Sequence, residues 1–364
     1  MPGPIAPEPP LTGDEPDPGP TPGPTPGPTL GSARDPAVIA RFRRDLASIV
    51  GQTPVDRQCF GVAFSGGPDS LALLLLAHHA LSGRVRAVCY DHALRPESAD
   101  ETRHAAMVCQ MLGIPQMTLT NTQAITGNKQ ATARKLRYAA IEAWREASGL
   151  DWVMTGHHAD DQLETFVMRI NRGSGVNGLA SIRRRNGTVL RPLLDWRRAE
   201  LGEIVALSGL DAVDDPSNRD NRYDRARLRS VLAGADWLDP LAAARSVAHI
   251  ADTVDALDWM TSRALARACS HDDDGWLLRY NFEPRALWHR MLVGALERAQ
   301  PDIVVGEQQF YRLWAAMLEE RAASIGTLLV TAHDHDPQCW RIAPAPPRKP
   351  TLRTRLRTAP DDER

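Results

Sequence analysis

The most constraining part of this sequence is residues 60–76, where a short apolar run meets a glycine-rich turn and a second apolar run follows. The first run, Phe60-Gly61-Val62-Ala63-Phe64, predicts a buried strand, and residues 71–76 predict an apolar helix. Two adjacent glycines, Gly66 and Gly67, permit a sharp turn whose N–H groups can approach an anion, and the helix directs its positive end to the same place. The sequence therefore predicts an α/β fold with an anion site between a strand and a helix.

The polar residues of this turn favour a nucleotide over a plain connection between a strand and a helix. Serine hydroxyls can hold phosphate oxygens, and the carboxylate of Asp69 can reach a magnesium ion. A simple helix cap remains the alternative interpretation, and a Walker A loop is excluded because no lysine follows the glycines. The turn resembles the PP-loop of the N-type ATP pyrophosphatases, which cleave ATP between the α- and β-phosphates. That resemblance implies ATP binding by Ser65, Gly66, Gly67, Pro68, Asp69 and Ser70.

Composition along the chain predicts two domains between two tails. Residues 1–33 and 343–364 are rich in proline and poor in apolar residues, so we expect both to be disordered. Strand and helix patterns alternate over residues 34–231, which predicts a catalytic domain with a five-stranded parallel sheet and helices on both faces. From about Leu232 apolar residues recur at helical spacing, so residues 232–342 are predicted to form a smaller, mostly helical domain with a strand pair within residues 325–342.

Several classes of protein are disfavoured. The sequence contains no secretion signal and no apolar stretch long enough to cross a bilayer, so we expect a cytoplasmic protein without a membrane partner. Its 5 cysteines are widely spaced, and His157 and His158 lack a spaced third ligand, which argues against disulfides and against zinc or iron–sulfur sites. Arginine-rich residues 169–229 and a basic group at residues 129–137 predict a polyanionic partner, with solvated helix faces as the alternative.

A cluster of acids follows the fourth predicted strand, within residues 156–165. If this segment is helical, Asp160, Asp161 and Glu164 share one end of one helix face. Gathering their charge requires a cation, such as magnesium bound to a nucleotide or the ammonium group of an amine; alternatively, the acids simply complement the helix dipole. Because the carboxyl ends of parallel strands meet at one edge of a sheet, we expect these acids to face the turn at residues 65–70.

Seven ordered motifs between about residues 60 and 230 resemble those of the tRNA(Ile)-lysidine synthetases. Neither the tails nor the predicted second domain is covered by this resemblance. Within the last motif the family usually has asparagine where this chain has Ala226, which puts any amide contact there in doubt. The matching segments are residues 65–70, 91–98, 130–138, 156–165, 172–179, 191–194 and 215–225.

The resemblance implies an enzyme that uses ATP to adenylate the C2 oxygen of the wobble cytidine in a tRNA(Ile) with a CAU anticodon. Free L-lysine then displaces AMP through its ε-amine and gives lysidine. ATP and magnesium are the implied cofactors, with Asp69 placing the metal, and a homodimer is an open alternative to a monomer. The implied catalytic residues are Asp69, Asp160, Asp161, Glu164 and Arg225. Those implied to bind tRNA or substrate are Arg134, Arg137, Arg172, Arg191 and Arg229.

Two other functions remain open at this point. A PP-loop tRNA thiolase would also adenylate a base, but such enzymes generally carry paired cysteines, and no Cys-x-x-Cys occurs in this sequence. A catalytically silent RNA-binding homologue would keep the fold without turnover. The intact turn and the acids that follow the fourth strand weigh against it.

Overall fold

The computed structural model describes residues 32–92, 98–123, 129–213, 224–280 and 284–346. The chain divides into two compact units, Met1–Ala251 and Asp252–Arg364. This division falls inside one continuous helix, Pro240–Ala268, whereas the sequence pattern places the boundary near Leu232. An unbroken helix carries no glycine or proline signal where its packing changes, so the pattern cannot mark this point.

Eleven α-helices lie within the described residues, together with a short 3-10 helix at Val55–Arg57. The α-helices are α1 (Pro36–Val50), α2 (Pro68–Ala80), α3 (Ser98–Met111), α4 (Lys129–Ala147), α5 (Ala159–Asn171), α6 (Val176–Leu179), α7 (Arg198–Ser208), α8 (Asp224–Leu232), α9 (Pro240–Ala268), α10 (Arg285–Ala299) and α11 (Glu307–Leu318). Every one of these described helices is too short or too polar to span a bilayer.

The first unit contains a six-stranded sheet, one strand more than the sequence predicts. Its strands are β1 (Phe60–Ala63), β2 (Val85–Asp91), β3 (Gln116–Thr120), β4 (Trp152–Met154), β5 (Arg185–Asn186) and β6 (Val189–Leu190). The order is β3-β2-β1-β4-β6-β5, and all neighbours are parallel except β5 and β6. The extra strand has only two residues and joins β6 through Gly187 at φ 58°. Asn186-Gly187 is a strong hairpin signal, but the apolar pattern that predicts longer strands does not reveal a strand of two residues.

Helices cover both faces of this sheet, as the sequence predicts. Side chains alternate along β1: Phe60 and Val62 are buried in the core that includes α1, α2 and α7. On the opposite face, a side chain at Gly61 would overlap Trp144 of α4, at 2.6 Å from its Cζ3. Helix α2 is apolar on all sides, and its residues 71–77 are therefore all buried. This packing holds its first turn against the end of β1.

The second unit combines helices with a five-stranded antiparallel sheet in the order β7-β8-β11-β10-β9. These strands are β7 (Cys269–Asp272), β8 (Gly275–Arg279), β9 (Ala323–Ile325), β10 (Leu328–His333) and β11 (Asp336–Pro344). The predicted strand pair within residues 325–342 is present as β10 and β11, but the sequence does not predict β7, β8 and β9. Polar residues such as Ser270 and His271 in β7 give no alternating apolar pattern, and β9 has only three residues. Trp288, Met291 and Leu292 of α10 form the centre of the core of this unit.

Candidate active site

A cavity of about 570 Å³ lies at the carboxyl ends of β1, β2 and β4. The turn at residues 65–70 forms one side of it, and residues of α4, α5 and α8 form the others. The ends of parallel strands carry no further backbone pairing there, which makes this edge the usual ligand position in an open α/β sheet. The turn at residues 65–70 thus borders a cavity at the carboxyl ends of the parallel strands.

The backbone of the turn requires glycine at position 66. Gly66 has φ 85°, in the left-handed region, and a side chain there would meet Val213 Cγ2 at 3.0 Å. The N–H group of Val213 donates to the Gly66 carbonyl at 2.9 Å. The turn is therefore held from outside as well as by its own conformation.

The two serines of the turn have different environments. Ser70 is buried; its hydroxyl donates to the Gly67 carbonyl at 2.9 Å and accepts from the Ser65 N–H at 3.2 Å. Ser65 is exposed in the cavity, with its hydroxyl oxygen 3.1 Å from that of Ser70. Ser70 thus maintains the shape of the turn, and Ser65 is the hydroxyl that a phosphate can reach.

Gly156, at the end of β4, lies directly against the first turn of α2. A Cβ atom at this position would lie 2.8 Å from the Asp69 carbonyl oxygen and 3.1 Å from the Ser70 nitrogen. Real Cβ atoms do not come that close to a backbone, so glycine is needed here. This contact brings the segment that starts α5, with its acids, against the turn at residues 65–70.

His158 is the centre of the acidic wall, which we define as Asp69, Asp160, Asp161 and Glu164 together with His158. Its Nε2 lies 3.4 Å from Asp69 Oδ2 and 3.6 Å from Asp161 Oδ2, and its Nδ1 lies 3.5 Å from Asp160 Oδ2. Burial by itself would lower the pKa of His158, but the carboxylates, chiefly Asp160 and Asp69, raise it to about 10. The protein itself therefore supplies a cation to this cluster.

Two arginines of α8 provide further positive charge. Glu164, almost fully buried, accepts from Arg225 Nε and Arg229 Nε, each at 2.6 Å. Arg225 also donates to Asp161 Oδ1 at 2.6 Å. Burial would raise the pKa of Glu164, but the two arginines hold it below its ordinary value. For Asp161 burial prevails, and its pKa is raised.

The predicted acids divide into two groups by position. Asp69 and Asp161 line the cavity, whereas Asp160 and Glu164 do not. Asp160 accepts from the backbone N–H of Arg198 at 2.7 Å, at the first residue of α7. Asp160 and Glu164 thus hold arginines, and Asp69 and Asp161 present carboxylates to the space where substrates fit.

The basic wall, as we define it, comprises Arg134, Arg137 and Tyr138 of α4 with His157 and Arg191. Burial, followed by the charges of Arg191 and the other nearby arginines, lowers the pKa of His157 to about 3. The nitrogen Nδ1 of this neutral imidazole lies 2.9 Å from Thr155 Oγ1. The guanidinium of Arg134 lies 5.0 Å from the ring centroid of Tyr138. No carboxylate within the described ranges of the chain pairs with Arg134 or Arg137, so this wall is positively charged.

Two predicted arginines lie apart from the cavity. Arg191 is only 5% exposed, and its Nη1 donates to the Arg183 carbonyl at 2.7 Å. It therefore belongs to the basic wall as a buried residue and not as part of its surface. Its Nε has no hydrogen-bond partner among the described residues. Arg172 is exposed just after α5 and does not line the cavity. Motif residues 93–97, 215–218 and Tyr223 lie outside the described residues.

Sequence reasoning missed three residues that the structure places in the site. From the sequence alone His157 and His158 suggest only a metal site, and nothing singles out Arg198. A cluster of acids with an adjacent histidine does contain the relevant signal, because a buried carboxylate group needs a cation and His158 is its nearest neighbour in the sequence. For Arg198 no such signal exists, since the contact with Asp160 depends on tertiary packing.

Comparisons with known proteins agree on one family. A family model described as a PP-loop domain matches residues 39–235. The tRNA(Ile)-lysidine synthase of Novosphingobium aromaticivorans is 40% identical over 321 residues, covering 84% of this chain and 94% of the relative. That of Zymomonas mobilis subsp. mobilis is 35% identical over 299 residues, covering 79% of this chain and 89% of the relative. Among solved structures, the U34-tRNA thiolase NcsA from Methanococcus maripaludis has a TM-score of 0.48 at 16% identity, covering 59% of this chain and 80% of that one. We draw no functional argument from that last likeness.

Proposed function

We propose a division of roles in the active site of this chain, which belongs to the tRNA(Ile)-lysidine synthase family and contains its PP-loop ATP-binding domain. The protein is a tRNA-modifying ligase that uses ATP. Its proposed substrates are L-lysine and the wobble cytidine of a tRNA(Ile) with a CAU anticodon, and its proposed location is the cytoplasm. The observation that carries the division is that the phosphate-binding turn and the acidic wall meet at one cavity, through Gly156 and His158.

ATP would bind with its phosphates on the turn at residues 65–70. The N–H groups at the start of α2 lack partners within the helix, and together with the Ser65 hydroxyl they suit phosphate oxygens. The donor set also fits magnesium: Asp69 and Asp161 offer carboxylate oxygens to the cavity beside the turn, and this ion typically uses one or two carboxylates plus phosphates. Bound magnesium would neutralise phosphate charge during cleavage.

Arg225 and Arg229 would act during adenylation. Both line the cavity and both are fixed by Glu164, so their charges stay in place as the reaction proceeds. The C2 oxygen of the cytidine attacks the α-phosphorus, the bond to the bridging oxygen breaks, and its electron pair leaves with pyrophosphate. Fixed guanidinium groups stabilise the charge that develops on the α-phosphate oxygens.

After magnesium has left with pyrophosphate, lysine would bind through its ε-ammonium group at Asp161 and Asp69, the two acids of the wall that face the cavity. Before attack on C2 the ammonium must lose a proton, and then the amine forms the C–N bond while the C2–oxygen bond to AMP breaks. Asp161 is the better proton acceptor of the two, because burial raises its pKa whereas the pKa of Asp69 is lowered.

The tRNA would approach along the basic wall. Arg137 and Tyr138 line the cavity, and Arg134 lies exposed beside them. Guanidinium groups without carboxylate partners suit the phosphates on either side of an inserted base, and Tyr138 offers an aromatic ring. Contacts by Arg172 and a homodimeric state remain predictions from the sequence.

The cysteines disfavour the thiolase alternative. None of the described residues that line the cavity is a cysteine. Burial raises the pKa of Cys89 to about 11 and that of Cys109 to about 12, so neither would form a thiolate at neutral pH.

Mass spectrometry tests the proposal directly. The protein is incubated with ATP, isotopically labelled lysine and a tRNA(Ile) transcript with a CAU anticodon, and the wobble nucleotide is analysed. We expect labelled lysine on that cytidine, none on a transcript with uridine at the same position, and near-complete loss with Asp161→Asn. The variant Arg44→Gln, on an exposed face of α1, serves as a matched control. A wobble cytidine that carries no labelled lysine, even though the tRNA binds, would reject the proposal.

A further inference from the structure

Among the described residues, Arg198 differs from Arg225 and Arg229 in having no acidic partner. Arg225 and Arg229 both form ion pairs with Glu164. Arg198 also lines the cavity and is exposed, yet within the described part of the chain its guanidinium group has no ion pair or hydrogen bond. A cation directed into a substrate cavity without a protein counter-ion is suited to an anionic ligand.

The backbone of Arg198 is nevertheless held firmly. Its N–H donates to Asp160 Oδ2 at 2.7 Å, and the preceding N–H, of Arg197, donates to Glu200 Oε2 at 2.6 Å. The Arg197 side chain is itself paired with Asp239. Helix α7 therefore starts at a fixed point, and Arg198 extends from that point into the cavity.

Arg198 also lies on the phosphate side of the cavity. It belongs to the same lining as Ser65, Gly67 and Asp69. The Asp160 carboxylate that accepts the Arg198 N–H lies 3.5 Å from His158 Nδ1, and His158 Nε2 lies 3.4 Å from Asp69 Oδ2. These contacts place the start of α7, and with it Arg198, close to the turn.

We propose that Arg198 binds the β- and γ-phosphates of ATP and the pyrophosphate that leaves, and that Asp160 is a positioning residue for Arg198. This proposal deepens the proposed function, since it rests on ATP as the substrate of this cavity. As the α-phosphorus is attacked, the electron pair of the breaking bond moves to the bridging oxygen of pyrophosphate. Arg198 neutralises that charge, while Arg225 and Arg229 remain at the α-phosphate.

Calorimetric binding of magnesium ATP, magnesium pyrophosphate and AMP to the full-length protein tests the assignment. For Arg198→Gln we expect the affinities for ATP and pyrophosphate to fall roughly tenfold, as for the loss of one charged hydrogen-bonding group, and that for AMP to change less than about twofold. Because Arg198 is exposed, this variant should fold normally. Arg44→Gln should match the wild type for all three ligands. Unchanged pyrophosphate affinity, or an equal loss for AMP, would overturn the assignment.

Variants of Asp160 test the positioning role. Asp160→Ala removes the acceptor for the Arg198 N–H, so we expect KM for ATP to rise several-fold with little change in KM for lysine. Asp160→Asn keeps an oxygen acceptor and should restore most of the ATP affinity, which a purely electrostatic role would not allow. If Asp160→Ala instead raised KM for lysine alone, Asp160 would bind the amine and the positioning role would be wrong.

These experiments separate the two proposals. Wild-type protein that binds pyrophosphate through Arg198 but makes no lysidine would reject the proposed function and leave this assignment standing. Wild-type protein that makes lysidine, combined with an Arg198→Gln variant that binds pyrophosphate normally, would reject only the assignment.

Discussion

The acidic wall and the basic wall of the cavity differ in whether their charged side chains have partners of opposite charge within the protein. In the acidic wall every carboxylate has a cation from the protein: His158, Arg225 or Arg229. In the basic wall the exposed Arg134 and the half-buried Arg137 have no acidic partner among the described residues, and the half-buried imidazole of His157 stays neutral because its pKa is lowered. Of these two adjacent histidines, His157 is thus neutral and His158 is protonated. We infer that the acidic wall is already assembled before substrates arrive, whereas the basic wall is completed by an anion.

The largest effect on activity should come from replacing Arg225, which bridges two carboxylates of the acidic wall. Arg225 donates to both Asp161 and Glu164, which only a planar guanidinium with several N–H groups can do. We expect Arg225→Gln to lower kcat by roughly a hundredfold to a thousandfold, and Arg225→Lys by nearly as much. Measurement of tRNA-dependent ATP–pyrophosphate exchange would check this. Near-normal exchange in Arg225→Lys would mean that simple charge suffices and that the bridge geometry is unimportant.

The second effect concerns stability. Glu164→Gln leaves two arginines facing a neutral amide in a buried position, so the free energy of unfolding should fall by about 2 to 3 kcal/mol. Urea denaturation monitored by circular dichroism measures this quantity. The control Glu319→Gln removes an exposed pair with Arg321 and should cost less than about 1 kcal/mol. Equal losses in the two variants would show that the acidic wall is no better assembled than the surface.

The third effect is a pH dependence that arises from His157. In the unfolded chain a histidine takes up a proton near pH 6.5, whereas folded His157 does so only near pH 3 because its pKa is lowered. The unfolded state therefore binds more protons between these values, and stability falls as pH drops from about 6.5 towards 3. We expect this one group to contribute a slope of at most about 1.4 kcal/mol per pH unit.

The variant His157→Asn keeps a polar group near Thr155 but cannot titrate. Its unfolding free energy should change less steeply with pH between 4 and 6 than that of the wild type, by an amount close to the slope given above. Parallel pH profiles for the two proteins would contradict a neutral, buried His157.

The smallest effect should come from the basic wall. Each of Arg134→Gln and Arg137→Gln removes one exposed or half-exposed guanidinium, so we expect tRNA affinity to fall roughly threefold to fivefold without a change in ATP affinity. The dependence of affinity on salt concentration should become weaker by about one counterion. A loss of ATP affinity instead would assign these arginines to the nucleotide.

The proximity of the turn to the acidic wall could be predicted from the sequence, but the separate roles of the acids could not. Residues 65–70 and 156–165 follow strand-like runs, and parallel strand ends share one edge, so their proximity was predictable. The separation of Asp160 from Asp161 was not, because neighbouring helical residues point in different directions and only packing decides which one reaches the cavity. The two-residue strand β5 was missed for a related reason: its partner, not its own pattern, makes it a strand.

The missing side chain at Gly156 has a consequence for attempts to change this enzyme. Even a methyl group at this position would overlap the peptide between Asp69 and Ser70. The distance between the proposed triphosphate site and the acids is therefore fixed by the backbone. A redesign for a longer or shorter amine in place of lysine must therefore keep Gly156 and alter other residues of the lining, such as the half-buried Arg137 and Tyr138.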